Sequence, residues 1–223
     1  MTGHSFDLGD ARLTALPSGA LLWPAAGLLC VGDLHLGKSA RLARRAGALL
    51  PPYETDETLA RLDADLTAHA PRRVICLGDS FDDARAETDL AEAHRLWLLR
   101  LMAGRDWIWI AGNHDPGPLS LPGRHLAEWH DSGLAFRHIA QPGAPGPEVS
   151  GHYHPKARIA GRARPAFLID RARVILPAYG AFTGGLWCDD AVFAPLMDPT
   201  AIAVLTGAPT LALPRAAPAG RSR

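Results

Sequence analysis

Residues 28–39 read LLCVGDLHLGKS, and the reading of Gly32 to Ser39 decides what kind of protein this is. An apolar run ends in glycine, and the letters that follow satisfy the phosphate-loop pattern GxxxxGKS/T, with Gly32, Gly37, Lys38 and Ser39 in the required places. A phosphate loop works because successive backbone N–H groups surround anionic oxygens. Asp33 inside such a loop would turn a carboxylate toward a polyphosphate with no cation to compensate. Taken instead as metal ligands, Asp33 and His35 are the first pair of a larger set.

That set emerges from how four apolar runs finish: LLCVGDLH (28–35), VICLGDSFDD (74–83), WIWIAGNHD (107–115) and EVSGHYH (148–154). Each ends in glycine followed by side chains that coordinate metals or carry protons. In a largely parallel sheet the carboxyl ends of the strands face one edge, where such loops converge. Asp33, His35, Asp79, Asn113, His152 and His154 offer carboxylate, imidazole and one amide oxygen, without thiolate. This mixture suits manganese, iron or zinc better than calcium, which takes oxygen alone. The supply exceeds what one ion needs. Two ions sharing a carboxylate fit it, the usual arrangement for in-line attack on phosphorus.

Outward from these strand ends, the first half reads as α/β. ARLTAL, GALLW and GLLCV are neighbouring strands, and residues 38–46 form a basic, potentially helical stretch closed by Gly47 and the Pro51-Pro52 pair. Leu59, Leu62 and Leu66 mark one stripe of a helix with acids in its first turn. RRVICLGD and WIWIAG are buried strands, separated by a second amphipathic helix over DLAEAHRLWLLRLM with Leu90, Trp97 and Leu101 inward. After residue 133 only short strands follow: LAFRH, EVSGHYH, KARIAG, PAFLID, RVILP and AIAVL. GRHLAEWH reads as helix or loop. One domain over 1–213 is expected, with 214–223 a disordered tail rich in Pro, Ala and Arg.

Composition narrows the function. Lys and Arg total 23 against 23 Asp and Glu, so bulk charge does not drive nucleic-acid binding, although arginines cluster at 41–45, 72–73 and 162–173. Cys30, Cys76 and Cys188 have no metal or redox spacing and read as buried structural thiols. No apolar run reaches the ~20 residues of a membrane span, and the opening MTGHSFDLGDARL lacks a signal-peptide layout, so a cytoplasmic protein without membrane association is expected.

DLH, GDxxD, GNHD and GHxH in this order resemble the calcineurin-like metallophosphoesterases, over most of the chain. The resemblance implies an α/β four-layer αββα sandwich, two mixed β-sheets flanked by helices. It implies that Asp33, His35 and His154 bind one ion, that Asp79 bridges, and that Asn113 and His152 bind the second. The family also uses a histidine upstream of GHxH. His138, which leaves an apolar run at the end of LAFRH, is chosen over His125 and His130. A narrower resemblance rests on DLHLGKS, RRAG-x-LLPPY, APRRVICLGDSF, GRDWIWIAGNHDP, FRH, GHYHPKARI and LPAYGAFTGGL (176–186). Together these are similar to the ligase-associated DNA damage response endonucleases, which implies DNA as substrate and DNA ligase, helicase or exonuclease partners. Where such relatives follow FRH with an acidic residue and proline, this chain has FRHIAQPGAPGPE.

The roles that follow are His114 as proton donor to, or stabiliser of, the leaving oxygen and Asp115 as the carboxylate orienting its ring. Either Asp82 or Asp83 supports the ligands, and Lys38, Arg45 and Arg137 are candidates to meet substrate phosphates. Two divalent ions are expected, manganese first, with iron or zinc as alternatives. A DNA endonuclease is the leading expectation. A phosphatase or phosphodiesterase for small nucleotides, a non-catalytic scaffold and a P-loop NTPase compete with it.

Overall fold

The computed structural model describes residues 3–39, 53–83, 85–117 and 119–215. A first sheet of seven strands runs in chain order: β1 (His4–Leu8), β2 (Ala11–Ala15), β3 (Leu21–Trp23), β4 (Leu28–Val31), β5 (Arg73–Cys76), β6 (Asp106–Ile110) and β7 (Arg124–Leu126). Short turns make β1 to β4 antiparallel neighbours. Long crossovers make β4 to β7 parallel.

The second sheet contains β8 (Glu128–Asp131), β9 (Leu134–Arg137), β10 (Glu148–Ser150), β11 (Lys156–Ile159), β12 (Arg162–Ile169), β13 (Arg173–Ile175), β14 (Ile202–Leu205) and β15 (Leu211–Pro214). Its order is β15-β14-β12-β13-β10-β9-β8, with β11 paired to β12. β10 is parallel to both β9 and β13, whereas the remaining pairs are antiparallel.

The central strands are apolar on both faces because both faces are covered. In β4, Leu28 and Cys30 point between the sheets, toward Phe136, Val149 and Phe167, while Leu29 and Val31 point outward. The outward layer meets two helices, α1 (Glu54–His69) and α2 (Glu92–Met102). α1 buries Leu59, Leu62 and Leu66 as its stripe predicts, and Glu54, Asp56 and Glu57 occupy its first turn. α2 begins later than the sequence pattern predicts and buries Leu98, Leu101 and Met102. Trp97 is only part-buried, because its Nε1 donates to Asp63 of α1 at 3.0 Å.

On the far side of the second sheet, Leu168, Ile175 and Leu205 are covered by Phe193, Leu196 and Met197 around a 3-10 turn at Ala191–Phe193. The layers are therefore helices, sheet, sheet and a cover that is mostly irregular among the described residues.

GRHLAEWH is neither helix nor loop but supplies β7 and most of β8. These strands are half-exposed and polar, so no apolar run announces them. The fold also continues past the expected boundary at 213: β15 reaches Pro214, and Arg215 is buried with its Nε donating to the Cys188 carbonyl at 2.9 Å. The three cysteines are free and buried, and burial pushes Cys188 up to about 12. Such thiols are inert. The basic stretch around Arg41 to Arg45, with the RRAG-x-LLPPY block up to Pro52, lies outside the described residues.

Candidate metal centre

Five strand ends meet at one edge of the sandwich. β4, β5 and β6 of the first sheet deliver Asp33 and His35, Asp79 and Asp82, and Asn113 and His114. β9 and β10 of the second deliver His138, then His152 and His154. The loops after β4 and β5 run side by side: Asp33, His35 and Leu36 donate their N–H groups to the carbonyls of Gly78, Asp79 and Ser80. These amides are therefore engaged and cannot cradle phosphate. Ser39 donates its N–H and Oγ–H to Glu54, and Lys38 Nζ donates to the Phe182 carbonyl at 3.2 Å. The GKS spelling carries no phosphate loop.

Turning so many side chains inward requires unusual backbone. Asp33 (φ 55), His35 (φ 45), Asp79 (φ 46), His152 (φ 71) and His154 (φ 47) all occupy the left-handed region, which non-glycine residues seldom visit. Strain of this kind collects at functional sites, where the surroundings over-determine it. Gly78 is needed beside them: a Cβ there would lie 2.6 Å from His138 Nδ1.

Three groups of close ligand atoms result among the described residues. Asp33, His35 and His154 form the first and Asp79, His138 and His152 the second, while His35 with Asp82 and His114 form a third that shares His35 with the first. His154 Nε2 lies 3.1 Å from Asp33 Oδ1 and 3.4 Å from His35 Nε2. In the second group, His138 Nε2 lies 2.9 Å from Asn113 Oδ1, 3.2 Å from His152 Nδ1 and 3.4 Å from Asp79 Oδ2.

The second partners of the rings decide which nitrogen faces inward. His138 Nδ1 donates to the Leu77 carbonyl at 2.7 Å, and His35 Nδ1 donates to Asp82 Oδ1 at 2.8 Å. Both rings thus turn a bare Nε2 inward, where it faces other acceptors. Ligands about 2.0–2.2 Å from a divalent ion stand about 3.0–3.4 Å apart at ordinary coordination angles, so the spacing fits one ion in each of the first two groups.

Charge tells the same story. Burial alone would raise Asp79, but the hydrogen bond and charge of His138, with the N–H of His114, hold its carboxyl down to about 2. Burial opposes charge on His138, yet Asp79 and Asp33 outweigh it and raise its pKa. Burial and the neighbouring His138 lower that of His152. In metal-free protein the two carboxylates therefore favour positive charge on His138.

A family model for calcineurin-like phosphoesterases matches residues 27–180. The chain belongs to the calcineurin-like phosphoesterases. Among solved structures it is similar to the Pseudomonas putida nuclease MPE, with a TM-score of 0.77 and 30% identity over 95% of this chain and 100% of that one. This likeness is consistent with the ligase-associated endonuclease family. No curated protein matches the sequence. As a calcineurin-like phosphoesterase the chain is a metal-dependent hydrolase.

Within this phosphoesterase, several side chains depart from their expected places. Asp115 does not orient His114. Its Oδ1 accepts from the N–H of Asp79 and Gly112, and its Oδ2 from those of Ser80 and Phe81, so it clamps the loop that carries Asp79. His114 is held instead through Nδ1, 2.8 Å from the Asp82 carbonyl oxygen.

Arg137, expected to meet substrate phosphate, is buried and turned to carboxylates. It is a buried cross-strand partner of Glu128 at 3.2 Å and also lies 3.5 Å from Glu148. Arg45 lies outside the described residues, and Lys38 is on the segment next to the site, donating to Phe182. His125 and His130 stand apart from the ligands, bonded to Leu119 and Leu121 and to Glu128.

Asp82, and not Asp83, backs the ring of the candidate ligand His35, against which it is buried, whereas Asp83 Oδ1 accepts from the N–H of Arg85 and Ala86. Only three-dimensional context separates these neighbours. The block LPAYGAFTGGL braces the first loop, through Tyr179 N–H to the Gly32 carbonyl and Gly180 N–H to that of Asp33. α1 holds the block in turn, by Arg61 Nη1 to the Tyr179 carbonyl and Ala181 N–H to Thr58 Oγ1.

Proposed function

We propose that this phosphoesterase is a two-metal phosphodiesterase that cuts DNA as an endonuclease of DNA repair. One observation carries the reading: two adjacent ligand groups at a single sheet edge, with His114 beside them, in a chain similar along its length to a nuclease. Asp33, His35 and His154 would hold one ion and Asn113, His138 and His152 the other, with Asp79 shared. When bound, a pair of divalent ions stabilises charge on phosphoryl oxygens and makes water acidic enough to yield a nucleophile near neutral pH.

The chain's own residues supply the rest. Asp82 and the Leu77 carbonyl fix the tautomers of His35 and His138, so that neutral Nε2 atoms face inward. The Asp82 carbonyl accepts a hydrogen bond from the Nδ1–H of His114, so Nε2 is the nitrogen that would carry the ring's second proton and hand it to the leaving oxygen. Asp115 keeps the Asp79 loop rigid while this happens.

Manganese is the first choice of metal, from the mixture of carboxylate, amide and imidazole ligands. A cytoplasmic location, and work beside a DNA ligase, helicase or exonuclease, belong to the same reading. No helix among the described residues is long and apolar enough to cross a membrane.

The test is activity of the manganese-loaded protein on single-stranded, nicked and duplex DNA beside a simple aryl diester and the matching monoester. The reading requires DNA cleavage and a preference for the diester. The balanced net charge favours a second reading, a phosphoesterase for small phosphate esters. Efficient monoester hydrolysis without DNA cleavage would establish that one instead.

A further inference from the structure

The second half of LPAYGAFTGGL and the residues just after it lead away from the metal centre. Gly185 packs so closely on His154 that a Cβ there would overlap the His154 carbonyl. Leu186 donates to the Tyr153 carbonyl, Lys156 to that of Leu186 and Cys188 to that of Lys156, which sets Trp187 alongside Lys156. Residues 182–188 are thus stitched to the chain that leaves ligand His154 and enters β11.

This arrangement displays aromatic and basic side chains in alternation. Phe182 is 51% exposed and sits in the left-handed region (φ 55), a conformation that wins it no buried contact. Lys156 Nζ and Arg158 Cζ lie 4.6 and 4.5 Å from the centre of the Trp187 ring. Lys156 and Arg158 are two residues apart on one strand and so point the same way, about 7 Å from each other.

Two hollows share Lys156 as a dividing wall. One, of about 340 Å³, is lined by His154, Phe182 and Thr183, and the other, of about 350 Å³, by Arg158, Trp187 and Asp189. Their acidic lining residues are Glu57, which is paired with Arg61 at 3.1 Å, and Asp189.

We infer that this row, from His154 through Phe182, Lys156 and Trp187 to Arg158, is a track for an unpaired nucleic-acid strand flanking the scissile phosphate. The inference rests on the nuclease reading and deepens it. Aromatic platforms interleaved with cations are what a single strand needs, since every base has a face to stack and every linkage a charge to meet. Duplex bases are already stacked and cannot use such platforms. An exposed cation–aromatic contact is weaker than base stacking, so a base can take the Trp187 ring while Lys156 and Arg158 turn to phosphates.

The experiment uses the full chain loaded with manganese, a single-stranded oligonucleotide and the variants Phe182→Ala and Trp187→Ala. Each variant should raise KM for the oligonucleotide about ten-fold, within the range that loss of one stacked base gives. Each should leave kcat within about two-fold and metal content at the wild-type level. Phe182→Trp and Trp187→Phe should restore KM. Tryptophan emission should be quenched by the oligonucleotide in wild type and less so in Trp187→Ala.

An unchanged KM in both alanine variants of a DNA-cutting enzyme would overturn the track and leave the nuclease reading intact. If wild type cut no DNA, the nuclease reading would fail. The quenching experiment would then decide the track alone: quenching that depends on Trp187 would support it, and no quenching would overturn it.

Discussion

Asp82→Ala should weaken one metal site and spare the other. The Asp82 carboxylate lies 2.8 Å from His35 Nδ1, with side chains 1% and 5% exposed, so no water can readily replace it. A hydrogen bond to a charged group contributes about 1.5–3 kcal/mol, a factor of roughly 10–150. Loss of the carboxylate behind a metal-holding histidine costs about 10–100-fold in affinity or activity. The affinity of the site formed by Asp33, His35 and His154 should therefore fall by about 10–100-fold.

The site built on His138 should keep its affinity, because that ring is oriented by the Leu77 carbonyl. Nor should His114 be released, since it bonds the backbone of residue 82 and not its side chain. Calorimetric titration with manganese resolves the two sites. Asp83→Ala is the control, because its carboxylate caps a turn at Arg85 and Ala86, and it should leave both affinities unchanged. If Asp82→Ala bound both ions like wild type, or if Asp83→Ala weakened binding as much, the assigned support of His35 would be wrong.

His114→Ala should lower kcat by about 10²–10⁴-fold while metal content, read by elemental analysis, stays constant. Manganese affinity should fall as pH drops through the raised pKa of His138 and level off above it, because the ion must displace that proton; Asp79, held at about 2, adds no step in mildly acid solution. In metal-free protein the His138–Asp79 contact should stabilise the fold fully below the unfolded pKa of histidine and be lost as pH rises through the raised one, which thermal unfolding across pH would register. Glu148→Ala leaves the buried Arg173 without its carboxylate partner, while Arg137 keeps Glu128, and should cost about 3–5 kcal/mol in denaturant unfolding.

Much of the centre is legible in the sequence because one device repeats: a buried strand, a glycine, then a ligand. Asp33, His35, Asp79, Asn113, His152 and His154 are all singled out this way, and His138 by a strand end that lacks only the glycine; the structure brings them to one edge as a candidate centre. What the sequence hides is direction. Asp82 and Asp83 are alike in letters, yet one meets His35 and the other the amides of Arg85 and Ala86.

Asp115 follows His114 in the chain but reaches back to the β5 loop, and adjacency in sequence misled there. Arg137 ends a strand as the ligands do, yet the register of β9 against β8 sets it opposite Glu128. Apolar runs located the core strands, while β7 and β8 escaped because a half-exposed strand needs no such run.

The most direct test of the whole account is the number of manganese ions per chain at full DNA-cleaving activity, measured by elemental analysis for wild type and His138→Ala. The account predicts two ions in wild type and one in the variant, with cleavage lost. A fully active wild type holding a single ion, or a His138→Ala protein that cuts DNA at the wild-type rate, would contradict it.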